Sequence, residues 1–216
     1  MTSMVDIKIS QDTDAFIIID VQNDFCPGGA LEVPNGDEVV QPINNLMSQF
    51  KHILMTQDWH PVDHISFASM HEGREPFEII EIDYGAQVLW PDHCVQGTAG
   101  GEFHADLNVD AAELVIRKGY RQMIDSYSAL FENDRTTPTG LSGYLHDRGF
   151  KRLFMAGLAT DYCVAYSALD GCTEGFDIYV IEDACRGINL EGSVDTAWQQ
   201  MKEAGVQRIN SRVLGA

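Results

Sequence analysis

The run Leu153-Phe154-Met155-Ala156-Gly157-Leu158-Ala159-Thr160-Asp161-Tyr162-Cys163-Val164 joins a strand to a helix within twelve residues. Its apolar first half has strand composition and stops at Gly157, and a helical pattern begins near Asp161. A strand feeding directly into a helix is the repeating joint of an α/β sheet. The joint sets Cys163 in the first turn of the helix, at the carboxyl edge of a buried strand. Unpaired backbone N–H groups and the positive end of the helix dipole stabilise a thiolate there. Ligands of open α/β sheets also bind at this edge. Cys163 is therefore a candidate nucleophile, and a buried cysteine packing as a small hydrophobe is the plainer alternative.

Outward from this joint the same rhythm recurs. Apolar runs at 15–20, 52–57, 113–118, 152–157, 177–182 and 206–210 lack strict alternation, as strands buried on both faces do. Helical spacing fills 37–50, 139–148, 161–174 and 191–204, with Gly149, Gly175 and Gly205 placed as stops and Pro42 as a potential kink. The expectation is a three-layer α/β fold, a mostly parallel six-stranded sheet with helices on both faces. Two stretches, 59–111 and 120–138, break the rhythm but hold histidines and aromatics. Irregular segments of this length in a compact domain are usually functional or disordered, and the aromatics argue against disorder. One domain over 1–216 is expected, with residues 1–12 as a polar tail.

Composition excludes several classes. The 14 basic and 33 acidic side chains give a formal charge of −19, which repels nucleic acid and anionic membranes. No apolar run of about 18 residues exists to span a bilayer. The first residues lack a signal-peptide pattern. Cys26, Cys94, Cys163, Cys172 and Cys185 form no C-x-x-C pair and read as reduced thiols of a cytoplasmic protein.

Three constellations carry chemistry. Asp20 follows Ile17-Ile18-Ile19 at the carboxyl end of a central strand, where burial raises a carboxyl pKa unless a cation offsets it. Lys118, closing Leu114-Val115-Ile116-Arg117-Lys118-Gly119, arrives at the same edge. Taken singly, Asp20 is a strand-ending carboxylate and Lys118 a solvated lysine. Carboxylate, ammonium and thiol at three carboxyl ends form a covalent-catalysis set. In Asp58-Trp59-His60 the outer residues point to one side of extended backbone. With His93 they make a two-histidine, one-carboxylate set for a metal ion, against a surface-loop reading of D-x-H. His64, His71 and His104 lack a matching spacing and read as polar loop residues.

Together these segments resemble the nicotinamidase/pyrazinamidase family, within the isochorismatase-like cysteine hydrolases. The resemblance rests on Ile19-Asp20-Val21-Gln22-Asn23-Asp24-Phe25, Gln57-Asp58-Trp59-His60-Pro61, Trp90-Pro91-Asp92-His93-Cys94-Val95-Gln96-Gly97-Thr98, Arg117-Lys118-Gly119 and the Cys163 run, in family order. It implies hydrolysis of nicotinamide, and of pyrazinamide, through a thioester, in pyridine nucleotide salvage. Asp20, Lys118 and Cys163 then match the catalytic triad, and Asp58, His60 and His93 the ligands of one divalent ion, Zn, Fe or Mn. Phe25 and Trp90 match aromatic walls around the ring, and Tyr127 joins that pocket. The backbone N–H groups of Ala159 and Cys163 match an oxyanion hole, and the Leu158–Ala159 peptide corresponds to one that is cis in the family. Some members carry a further histidine ligand where this chain has Ser66, so the ligand number stays open. The partner is a small aromatic amide, with no nucleic acid and no membrane, and a homo-oligomer is possible. The competing expectations are hydrolysis of another small amide without a metal, and a non-catalytic binding protein. A Rossmann-type dinucleotide enzyme is disfavoured because no G-x-G-x-x-G follows the first strand.

Overall fold

The computed structural model describes residues 6–214. In chain order its elements are β1 (Asp14–Ile19), α1 (Val40–Met47), β2 (Ile53–Asp58), a hairpin of β3 (Ile79–Ile82) and β4 (Gly85–Val88), and β5 (Leu114–Lys118). There follow α2 (Leu141–Asp147), β6 (Arg152–Leu158), α3 (Ala165–Thr173), β7 (Asp177–Arg186), α4 (Ser193–Ala204) and β8 (Gln207–Ile209). The six expected strands form one sheet in the order β5-β2-β1-β6-β7-β8, every neighbouring pair parallel.

Sequence composition explains the order of burial. All residues of β1 and β2 are buried, as is nearly all of β6, so their apolar runs continue without a solvent face. Each of Ile17, Ile18 and Ile19, with no exposed surface, contributes about 2 kcal/mol by leaving water. Where β6 passes β1, Gly157 has φ +126°, and a Cβ there would stand 2.1 Å from the Ile19 carbonyl oxygen. Only glycine fits that crossing. Strand order reverses between β1 and β6, the switch point at which open α/β sheets take ligands. Right-handed crossovers then set α1 on one face and α2, α3 and α4 on the other.

Several expectations change in detail. The helix expected over 37–50 opens as a 3₁₀ turn, Gly36–Val39, before α1. Pro42 falls in the first turn of α1, where its missing N–H costs little, so it makes no mid-helix kink. The β3–β4 hairpin lies within the stretch read as irregular. Of the expected polar tail, residues 1–5 lie outside the described residues. The rest is docked: the Ile7 N–H donates to the Val213 carbonyl at 2.7 Å, and Ile7 and Ile9 pack against the core.

Candidate active site

Four functional side chains issue from the carboxyl ends of adjacent strands. Asp20 follows β1, Asp58 ends β2, Lys118 ends β5, and Cys163 sits in the turn after β6. Because the sheet runs β5-β2-β1-β6, these ends stand side by side. All four residues are buried, Lys118 and Asp20 completely.

Lys118 is the hub. Its ammonium lies 2.9 Å from Asp20 Oδ2, 2.9 Å from Asp58 Oδ1, 2.8 Å from the Ser126 carbonyl and 3.4 Å from Cys163 Sγ. Asp20 Oδ1 also accepts from the Thr56 hydroxyl at 2.7 Å. Burial pulls the Lys118 pKa down, but Asp20 and Asp58 pull it up further, so it stays charged. Burial raises the Asp20 pKa despite the lysine, which suits a proton acceptor that must later give the proton back. Burial likewise pushes the Cys163 thiol well above its ordinary value of 9.0, with Lys118 opposing. The expected lysine contact is present, but desolvation outweighs it, so the resting sulfur keeps its proton.

The strand of Cys163 ends in a cis Leu158–Ala159 peptide. Thr160–Val164 then forms a π-helical turn, and the Ala159 carbonyl that opens it accepts from the Tyr162 and Val164 N–H groups, both at 3.1 Å. Single π turns of this kind mark functional sites. Asp161 ties the turn to the next loop, accepting from the Ile188 N–H at 3.0 Å and the Asn189 N–H at 2.7 Å. The Ser193 hydroxyl adds a third donor at 2.5 Å.

Asp58, His60 and His93 converge. Asp58 Oδ2 lies 3.1 Å from His60 Nε2 and 3.6 Å from His93 Nε2. Each ring directs Nδ1 at a backbone carbonyl, Gly119 at 2.9 Å for His60 and Pro91 at 2.8 Å for His93. A carbonyl only accepts, so Nδ1 carries a hydrogen and Nε2 is the nitrogen each ring turns toward Asp58, the one that would bind a cation on losing any proton it holds. Burial pushes the Asp58 pKa up, but His60 and Lys118 draw it below the usual carboxylate range. The donor set therefore fits a divalent ion, two imidazoles and an ionised carboxylate. Gln22 holds the ligand-bearing backbone, accepting from the Asp58 N–H at 2.7 Å and donating to its carbonyl at 2.8 Å.

His64 departs from the polar loop residue expected. It is fully buried, its ring 4.2 Å from that of His60. Nε2 donates to the Ile124 carbonyl at 3.2 Å, and Nδ1 accepts from the Ser66 hydroxyl at 2.7 Å. Ser66 thus serves His64. Among the described residues, His60, His64 and Asp125 also bring ligand atoms within 4.8 Å of one another. Both His64 nitrogens are already engaged, so Asp58, His60 and His93 are the better cation set.

One narrow cleft reaches both the thiol and the cation set. Cys163, Ala159, Asp58 and His93 line it, together with Phe25, Trp90 and Tyr127. Leu31, Asp125, Tyr162 and Ile188 complete the lining. These four were not read from the sequence. Tyr162, beside the thiol in the chain, is the one with a visible signal. Trp90 meets Tyr162 edge-on at 4.8 Å between ring centroids.

Comparison with known proteins agrees with this geometry. Residues 14–212 match the isochorismatase domain family. The nicotinamidase of Acinetobacter baylyi is 51% identical over 210 residues, covering 97% of this chain and 98% of that protein. An L. infantum protein solved in complex with nicotinate superposes with a TM-score of 0.86 at 38% identity, covering 98% of this chain and 100% of that one. The pyrazinamidase of Pyrococcus horikoshii, solved in complex with zinc, gives a TM-score of 0.73 at 37% identity, with 91% and 98% coverage. With the lysine-held thiol and the carboxylate–histidine set meeting beside one aromatic cleft, this chain belongs to the isochorismatase domain family, in its nicotinamidase/pyrazinamidase branch.

Proposed function

We propose that this protein hydrolyses nicotinamide to nicotinate and ammonia, and pyrazinamide to pyrazinoate. The observation that carries the proposal is the single cleft lined by the Cys163 thiol, the aromatic walls and Asp58 and His93, whose ligand atoms His60 joins from behind the lining. A flat heteroaromatic ring fills such a slot, and a ring nitrogen needs an electrophile at its far end.

Asp20 takes the Cys163 proton as sulfur attacks the carboxamide carbon. The carbonyl oxygen, now negative, is received by the backbone N–H groups of Ala159 and Cys163. One such donor is worth about 3–4 kcal/mol in a comparable hydrolase. Asp20 returns the proton to the leaving nitrogen, the C–N bond breaks and ammonia departs, leaving a thioester. Water then adds to that carbonyl with Asp20 as base. The C–S bond breaks, Asp20 returns the proton to the sulfur, and the acid product gives up its own proton to water and leaves as the carboxylate. Lys118 keeps its charge throughout and offsets whichever neighbour is anionic.

Asp58, His60 and His93 would hold one divalent ion, Zn, Fe or Mn, which when bound supplies a Lewis-acid anchor for the pyridine nitrogen. Phe25 and Trp90 flank the ring, with Tyr127 beside Trp90. Cys26, Cys94, Cys163, Cys172 and Cys185 are all free, which supports a reducing, cytoplasmic setting and a place in pyridine nucleotide salvage.

Ammonia release from nicotinamide tests the reading, with wild type beside Cys163→Ala and a metal-stripped sample. Release by wild type alone, restored to the stripped sample by metal, is the expected result. No release from metal-loaded wild type overturns the substrate assignment.

A further inference from the structure

Gln87 lies on β4, outside the main sheet, at 1% exposure. A primary amide so enclosed must satisfy both its donor and its acceptor ends. Its Nε2 turns two hydrogens to three acceptors, the Val88 carbonyl at 2.6 Å, Asp125 Oδ2 at 2.8 Å and the Tyr127 hydroxyl at 3.2 Å, the last two sharing one hydrogen. Its Oε1 accepts from the Tyr84 hydroxyl at 2.9 Å, and that hydroxyl in turn accepts from the Asp125 N–H at 3.1 Å. Gln87, Tyr84 and Asp125 close a ring of hydrogen bonds. The Tyr127 hydroxyl accepts once more, from Trp90 Nε1 at 3.0 Å.

Trp90, Tyr127 and Asp125 all line the cleft. Gln87 stands behind them. Trp90 meets Tyr127 at 78° with centroids 6.1 Å apart, and that angle is set by a hydrogen bond whose acceptor oxygen Gln87 also holds. Without the amide, Tyr127 and Asp125 lose a buried donor, and each is free to turn toward the cleft to find another.

We infer that Gln87 is a positioning residue for the aromatic wall, holding Tyr127, and through it Trp90, at the angle that clamps the substrate ring. The inference rests on the nicotinamide reading above and adds to it the part played by the β3–β4 hairpin. Gln87 contributes no atom to Cys163, Asp20 or Lys118, so its loss weakens ring binding and leaves the chemical steps in place.

Gln87→Met keeps the length of the side chain and removes both polar ends. In metal-loaded enzyme it should raise KM for nicotinamide about tenfold while kcat stays within about threefold. In a Tyr127→Phe background the same change should add little, because the shared hydroxyl is already gone. An unchanged KM in Gln87→Met, whatever its Tm, overturns the inference, and so do equal KM effects in both backgrounds. Should Gln87→Met fail to fold, Tyr84→Phe frees the amide oxygen from a less buried position. It should raise KM about threefold, and an unchanged KM there is equally fatal. Wild-type turnover, measured first, separates the two levels. An inert wild type removes the functional reading and this inference with it, whereas an active wild type with indifferent variants removes the inference alone.

Discussion

Gly119 faces the His60 ring so closely that a Cβ on it would stand 2.4 Å from Cε1, while its carbonyl takes His60 Nδ1 at 2.9 Å. Its φ is +63°, a conformation that side chains disfavour. One residue thus supplies both the hydrogen bond that selects the His60 tautomer and the space in which the ring stands. Gly119→Ala should displace the imidazole and lower metal affinity about 10–100-fold, with the Cys163 alkylation rate little changed. Metal titration followed by thiol labelling checks this, and an unaltered affinity would refute it.

Lys118→Met should remove turnover and destabilise the fold by about 3–5 kcal/mol, because Asp20 and Asp58 are left buried around an apolar side chain. Urea unfolding of wild type and variant gives the number. A variant as stable as wild type would mean that the two carboxyls relieve each other by taking up protons.

His64 predicts a pH dependence. Burial, with His60 adding to it, lowers its pKa from 6.5 to about 4. The unfolded chain therefore takes up a proton below pH 6.5, while the folded protein resists until about 4. Folding is unaffected by this group above pH 6.5 and loses stability as pH falls toward 4, by at most about 3 kcal/mol. In metal-stripped protein the urea midpoint should drop more between pH 7 and 4.5 for wild type than for His64→Gln, and equal drops would count against it.

Cys163→Ala should abolish turnover and leave nicotinamide binding in place. Because burial holds the resting thiol protonated, alkylation of metal-stripped wild type should keep accelerating up to and beyond pH 9, and in metal-loaded protein nicotinamide should block it. A rate that levels off near neutrality would show a thiolate already formed in the resting enzyme.

The strands were legible because buried parallel strands are written as apolar runs, and Asp20, Asp58 and Lys118 stand where those runs stop. The hairpin was not. Its strands Ile79–Ile82 and Gly85–Val88 are short and, outside Gln87, partly or fully exposed, so Ile79, Ile80 and Ile82 are interrupted by Glu81 and make no buried run of sheet length. Gln87 was hidden with them, since nothing local marks a glutamine as buried. His64 escaped for a different reason. Its burial depends on Ser66 and on the Ile124 carbonyl, sixty residues away in the chain. Asn189 and Glu191 take left-handed backbone without being glycines, in the loop that brings Ile188 to the cleft, and Asp161 grips that loop at the Ile188 and Asn189 N–H groups, a partner 27 and 28 residues back in the chain.

Lys118 offers three hydrogens to four acceptors: Asp20, Asp58, the Ser126 carbonyl and the Cys163 sulfur. One partner is always short of a full bond, and in the resting protein it is Asp20 Oδ2, which lies 2.9 Å from Nζ yet takes no hydrogen bond from it, while Asp58, the Ser126 carbonyl and the sulfur do. The sulfur therefore already faces an ammonium hydrogen before it gives up its own proton. Asp20 Oδ2 keeps a free lone pair to receive that proton. The deficit of one donor is what leaves the carboxylate open as the base.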